Sequence, residues 1–150
     1  MSATVRRAGV GDVGALAGLR RQWRLERHGA ALDADPGFDE RFRSWVVQQL
    51  DRDTLVWVAE SGAPVGMLLM FVHTRMPEPG RDAGRWGYVG NTFVLPRARD
   101  AGVGSRLLDA ALAHADAHGF ARVVLNPTRP SVPFYERAGF TSHHRLLVRE

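Results

Sequence analysis

The stretch Phe93-Val94-Leu95-Pro96-Arg97-Ala98-Arg99-Asp100-Ala101-Gly102-Val103-Gly104-Ser105-Arg106-Leu107-Leu108 decides how this chain is read. It runs as a hydrophobic strand, an arginine-bearing connection, a Gly-x-Gly turn and the start of an amphipathic helix. Two glycines at a strand-to-helix junction let the backbone turn tightly and leave the first helical N–H groups uncovered. Such a helix start carries unpaired donors and a partial positive charge, which suits a phosphate or pyrophosphate. The physics specifies an anion cradle and leaves the anion open. A nucleotide P-loop needs Gly-x-x-x-x-Gly-Lys-Ser/Thr, and no Lys follows Gly104. A dinucleotide fingerprint needs a third glycine where Leu107 stands. What remains is Arg99-x-x-Gly102-x-Gly104, or else a glycine-capped loop without a ligand.

Further along stands Ser131-Val132-Pro133-Phe134-Tyr135-Glu136-Arg137-Ala138-Gly139-Phe140. It reads as a short helix, a glycine at the left-handed position that ends helices, and a final strand through Leu147. One helix and one strand, Ala121 to Leu125, lie between the two segments. Together the segments resemble the GCN5-related N-acetyltransferase (GNAT) superfamily. Arg99-x-x-Gly102-x-Gly104 matches its (Q/R)-x-x-G-x-(G/A) motif, and Phe134 to Phe140 its FY-E-(K/R)-x-G-F signature. The resemblance implies an α/β fold filling residues 1–150 as a single acetyltransferase domain, a mixed six- to seven-stranded sheet flanked by helices.

Composition agrees with one soluble domain. Of 150 residues, 45% are hydrophobic and 24% charged, ordinary values for a globular chain with a real core. No apolar run nears the roughly 20 residues of a membrane span, so no membrane partner is expected. The start, Met1-Ser2-Ala3-Thr4-Val5-Arg6-Arg7, lacks the apolar stretch of a signal peptide, and cytoplasmic residence is the default. With no cysteine there is no disulfide, thiolate metal site or cysteine nucleophile. The net charge of +4 rests on arginines scattered over most elements rather than clustered with aromatics, so no nucleic-acid partner is indicated.

Periodicity gives a first strand at Thr4–Ala8, an Asp12 N-cap and a helix reaching Arg27. A loop from His28 to Gly37 leads to a second helix bearing Phe38, Phe42, Trp45, Val46 and Leu50 on one face. Strands follow at Thr54–Glu60, Val65–His73 and Trp86–Leu95, then the helix from Val103 to about His118. Glycines at 87 and 90 inside a strand mark a bulge or a close backbone approach.

The resemblance implies acetyl-CoA as co-substrate. Main-chain groups of Thr92, Phe93 and Val94 would hold pantetheine, with an N–H near Val94 polarising the acyl carbonyl. Arg99 and the backbone of Asp100, Ala101, Gly102, Val103, Gly104, Ser105 and Arg106 would hold the pyrophosphate. Asp100 departs from the family pattern, since a carboxylate repels that anion. Thr128 stands where relatives carry a cofactor-contacting Asn. Tyr135 matches the family tyrosine that protonates the leaving thiolate, and a phenol with pKa about 10 is protonated at neutral pH. It also contacts the cofactor.

The base is not visible, because Val123 occupies the position of a glutamate used by several relatives. Glu26, His28, Asp33, Asp35, His73, Tyr88 and Asn91 are candidates. Residues 28–37 and Thr74–Arg85 are expected to line the acceptor pocket, with Asp33, Asp35, Asp39 and Glu40 attracting a cationic amine. Trp23, Trp86 and Tyr88 are candidate walls. His114, His118 and His143-His144 lack ligand spacing, and no metal is expected.

Two functions follow. One is an acetyl-CoA-dependent N-acetyltransferase, moving acetyl to a primary amine of a small molecule or protein by direct attack in a ternary complex. The other is a non-catalytic acyl-CoA-binding or sensing module, which Val123 favours and Tyr135 opposes. A longer acyl donor and a homodimer, common in the superfamily, both stay open.

Overall fold

Strands β2 (Thr54–Ser61) and β3 (Ala63–Thr74) form the centre of the molecule because both of their faces are apolar. Val56, Val58, Met67 and Leu69 point to one side, Trp57, Ala59, Leu68 and Met70 to the other. A strand covered on both faces loses polar–apolar alternation and reads as a continuous apolar run. Gly62, at φ 74°, closes the hairpin between them. The computed structural model describes residues 2–29, 35–50, 52–142 and 145–150.

Five strands make one mixed sheet in the order β1-β2-β3-β4-β5. β1 (Thr4–Arg7), β2, β3 and β4 (Arg85–Val94) are antiparallel neighbours, and β5 (Val123–Leu125) runs parallel to β4. Helices α1 (Val13–His28) and α2 (Phe38–Leu50) cover one face through Val13, Leu16, Leu19 and Val46. Helices α3 (Val103–Ala117) and α4 (Val132–Arg137) cover the other through Val103, Leu107, Leu108, Ala111, Phe134 and Tyr135. Leu16 and Leu107 are fully buried, each burial worth about 1.5–3 kcal/mol.

Two expectations are corrected. Among the described residues the sheet has five strands rather than six to seven, and none runs through Leu147. Residues 140–142 and 145–150 have no regular structure, and Leu146, Leu147 and Val148 are exposed. Apolar β-formers become a strand only where an edge pairs with them. The neighbouring β5 offers just three residues. His143 and His144 lie outside the described residues.

Asp12 precedes α1 but does not cap it. Its carboxylate instead accepts the Gly9 N–H at 2.8 Å and two N–H groups of Arg6, which also reaches Glu60. The Arg6 guanidinium, with the Gly9 amide, holds the Asp12 carboxyl at about 2. This knot ties β1, β2 and the turn into α1 together.

Candidate active site

The register of β4 on β3 slips by one residue in mid-strand: Leu69 faces Asn91 while Met70 faces Val89. Gly90 is the extra residue, a β-bulge that re-aims the strand beyond it. Two hydrogen bonds show the effect. Gly87 N–H donates toward β5, to the Arg122 carbonyl at 3.0 Å, whereas Leu95 N–H donates toward β3, to the Val65 carbonyl at 2.8 Å. Residues eight apart in a regular strand face the same edge. Here they face opposite edges, so beyond Gly90 the main-chain groups of Thr92 and Val94 turn away from β3.

Among the described residues no strand receives them. β5 pairs with β4 only at Gly87–Val89, so from Asn91 onward β4 has a free edge. The Val94 carbonyl is taken by Arg99 Nε at 3.0 Å, which leaves the Thr92 and Val94 N–H groups there. Phe93 lies in the opposite phase, its main chain toward β3 and its ring buried. Thr92 Oγ1 and Asn91 Nδ2 are buried without a hydrogen-bond partner among the described residues. Buried polar groups left unpaired cost about 1–3 kcal/mol each, which makes them markers of a ligand site. A Cβ at Gly90 would lie 2.6 Å from Phe71 Cε2, so only glycine fits the bulge without displacing that ring.

The anion cradle follows directly. Asp100 (φ 60°) and Gly102 (φ 76°) both take the left-handed conformation, and Gly102 starts α3 without a side-chain cap. The first intrahelical bond runs from Arg106 N–H to the Gly102 carbonyl at 3.1 Å. The N–H groups of Val103, Gly104 and Ser105 therefore meet no main-chain acceptor among the described residues. A Cβ on Gly104 would touch Phe134 of α4 at 3.5 Å and Val94 of β4 at 3.9 Å. The free strand edge, the helix start and α4 thus converge at Gly104. Tyr135, next to Phe134, is half-buried with its ring edge-on between Phe134 and Phe140.

Some expected site residues are already engaged. Arg99 Nη2 pairs with Glu26 Oε2 at 2.6 Å across the mouth of the cradle. That hydrogen bond raises the Arg99 guanidinium above its ordinary value and holds the Glu26 carboxyl below its own. An ionised carboxylate so engaged is a weak base, so Glu26 suits that role poorly. Arg106 turns its side chain to Ser2 Oγ and the Ala3 carbonyl, leaving its main chain at the cradle. Thr128 is exposed, and its hydroxyl donates to Ser131. Val123 is half-buried against the α3-side core.

On the opposite face, beside Gly90 and Asn91, lies a cavity of about 350 Å³. Phe38, Phe42, Trp45 and Phe71 wall it in a chain of rings with centroids 5.6 to 6.1 Å apart, and Tyr88 continues the chain beyond Phe71. Met67 and Leu69 form its floor. Arg20 supplies the cation, its Nη1 donating to Asn91 Oδ1 at 3.2 Å and its guanidinium lying 4.3 Å from the Trp23 ring centre. Burial, with Arg24 close by, pushes the Arg20 guanidinium below its ordinary value. It remains charged at neutral pH.

Among the described residues, the segments expected to line the acceptor pocket do not meet this cavity. Thr74–Arg85 does not line this cavity. Within 28–37, residues 30–34, Asp33 among them, lie outside the described residues, and Gly37 belongs to a separate open groove on α2. Asp35 pairs with Arg41 and Asp39 with Arg21. Trp86 stacks on His73 away from the cavity, and His114 stacks on His118 against Trp57 and Phe120. The Phe38-Phe42-Trp45 spacing was legible as one helix face, but core and cavity wall share that pattern.

A sheet opened at a bulge beside an uncapped helix start is the arrangement that the resemblance to an acetyltransferase fold implies. The model of the acetyltransferase (GNAT) family matches residues 19–140, and the chain belongs to that family. A glucosamine 6-phosphate N-acetyltransferase of Trypanosoma brucei brucei is 29% identical over 87 residues, 58% of this chain and 57% of the relative. The chain thus spans just over half the length of that curated relative. A predicted acetyltransferase of Clostridium acetobutylicum, solved with acetyl-CoA, superposes with TM-score 0.79 at 18% identity over 99% of this chain and 96% of the other. A GCN5-related N-acetyltransferase of Ralstonia eutropha JMP134 gives TM-score 0.77 at 27% identity over 99% of both chains.

Proposed function

We propose that this protein is an acetyl-CoA-dependent N-acetyltransferase acting on a primary amine by direct attack in a ternary complex. The observation that carries the reading is the convergence at Gly104 of a free strand edge, an uncapped helix start and the tyrosine-bearing helix α4. Acetyl-CoA would supply an activated acyl carbon, with an N–C bond forming as the C–S bond breaks, one proton leaving nitrogen and one reaching sulfur.

The chain's residues divide the remaining work. Val103, Gly104 and Ser105 N–H groups, with the Asp100 to Gly102 turn, the Arg106 main chain and the Arg99 guanidinium, hold the pyrophosphate. Thr92 and Val94 offer their main chain to the pantetheine arm, and the Val94 N–H polarises the acyl carbonyl. Tyr135 Oη delivers the proton to sulfur. No carboxylate or imidazole lines the cavity among the described residues. In this reading the amine arrives neutral, its proton already lost to water.

Calorimetric titration with acetyl-CoA, beside Gly104→Glu, tests this directly. Wild type should bind, and the variant should lose at least about tenfold in affinity, because it puts a side chain and a negative charge at the helix start that would hold the pyrophosphate. Absence of binding by wild type overturns the reading. Binding without thiol release from any amine supports the sensing module that Val123 favours.

A further inference from the structure

The cavity on the α1/α2 face carries the inference furthest. Its wall is aromatic and apolar: Phe38, Phe42, Trp45 and Phe71 around a floor of Met67 and Leu69. Its polar groups are Arg20 and Asn91, and they are joined by a hydrogen bond that uses the Asn91 oxygen. What Asn91 has left is an Nδ2 group with no partner, and Arg20 has no carboxylate within ion-pair distance among the described residues. The cavity's side-chain groups without a hydrogen-bond or ion-pair partner among the described residues are therefore donors.

Donors of that kind recognise an anionic oxygen, most strongly when one of them is a guanidinium. Among the described residues no carboxylate lines the cavity to receive a second ammonium, and Asp35 and Asp39 are paired elsewhere. A polyamine therefore finds no counter-ion there. A sugar would place its hydroxyls against aromatic and aliphatic walls that return no hydrogen bonds. An aryl ring fits both the walls and the volume. Gly90 and Asn91 line the cavity and stand where the free β4 edge begins, which puts the cavity beside the proposed acyl site.

We propose that this cavity is the acceptor subsite and selects amines that carry both an aryl body and a carboxylate, the chemistry of an aromatic α-amino acid. The carboxylate lies on Arg20 and Asn91 Nδ2, the ring among Phe38, Phe42, Trp45 and Phe71, and the amine toward the bulge. Arg20 is the specificity residue. The proposal rests on the acetyl-transfer reading, so its test keeps the two separable.

Acetyl-CoA-dependent product formation is followed by mass spectrometry for phenylalanine, phenethylamine, spermidine and glucosamine 6-phosphate, with wild type, Arg20→Gln and Arg20→Lys. Calorimetric binding of phenylalanine and of phenethylamine, without acetyl-CoA, gives a readout independent of turnover. Phenylalanine should exceed phenethylamine at least tenfold in kcat/KM and in affinity, the loss expected for one charge-assisted contact. Arg20→Gln should bring the two within about twofold of each other while the KM for acetyl-CoA stays put, and Arg20→Lys should keep part of the preference. Thermal melting checks that the variants fold. Preference for spermidine or glucosamine 6-phosphate overturns the acceptor class, as does a preference unchanged in Arg20→Gln. Acetyl-CoA binding with no turnover of phenylalanine overturns it too. Failure of wild type to bind acetyl-CoA is instead the failure of the acetyl-transfer reading, and phenylalanine binding then decides the cavity on its own.

Discussion

From Gly87 to Val89, strand β4 is flanked by β3 on one edge and β5 on the other; from Asn91 to Val94 it keeps β3 alone. One residue, Gly90, separates the two regimes. The first half behaves as interior sheet, its Val89 packed in the core beneath α3. The second half leaves main-chain donors on an open edge and two side-chain polar atoms unpaired in the interior. Unpaired polar groups are costly, so a fold that keeps several together is specialised at that place for a ligand that completes them. The contrast locates function by where the sheet stops satisfying itself.

The largest test removes the proposed proton donor beside the unpaired half. Tyr135→Phe keeps the ring between Phe134 and Phe140 and deletes only the hydroxyl. Turnover should fall on the order of 10²-fold, the lower range for a general acid, with acetyl-CoA affinity unchanged. A variant with wild-type kcat across pH removes Tyr135 from the chemistry.

A second test sets the halves against each other with matched substitutions. A Cβ at Gly87 meets Met70 Sδ at 2.5 Å, and one at Gly90 meets the Phe71 ring at 2.6 Å. The distances are alike and the neighbours are not. A thioether chain can re-seat its sulfur, whereas Phe71 is held between Trp45 and Tyr88. Gly90→Ala should therefore cost about 1–3 kcal/mol, a melting shift of several degrees, and lower turnover as well. Gly87→Ala should cost less and leave kcat within about twofold. Equal losses in both would show that the bulge has no special role.

The same division explains what could be read from sequence. The cradle was legible because Gly102 and Gly104 answer to backbone conformation and open donors, constraints that leave a fixed spacing. Tyr135 was legible through the motif around it. The bulge was only half legible: Gly90 announces a departure from regular strand, but its phase depends on the β3 register. The cavity was not legible, since Phe38, Phe42 and Trp45 follow the spacing of any buried helix face. Arg20 stood among α1's other arginines, and only the fold brings it to Asn91, 71 positions away. The final strand failed for the converse reason. Leu146, Leu147 and Val148 have strand chemistry but stand exposed, with no strand beside them among the described residues.

The smallest effect concerns the mouth of the unpaired half, where Glu26 holds Arg99 while Arg99 also holds the Val94 carbonyl. Both partners of this ion pair are substantially exposed, so the pair adds at most about 1 kcal/mol. Under the proposed binding mode its larger consequence is competition, because pyrophosphate and Glu26 would seek the same guanidinium. Glu26→Gln should tighten acetyl-CoA binding by about two- to fivefold and change the melting temperature by no more than a few degrees. The pH dependence has a definite sign. Arg99 depresses the Glu26 carboxyl in the folded state, so its contribution is present above the ordinary carboxyl value of about 4.3 and is lost as pH falls through the lower folded value. Wild type and Glu26→Gln should therefore differ in stability by a constant amount from about pH 8 to 5 and converge as pH falls below the ordinary carboxyl range. If Glu26→Gln instead weakens acetyl-CoA binding, the carboxylate positions Arg99 for the anion rather than competing with it. The open half of β4 would then come with a preset clamp.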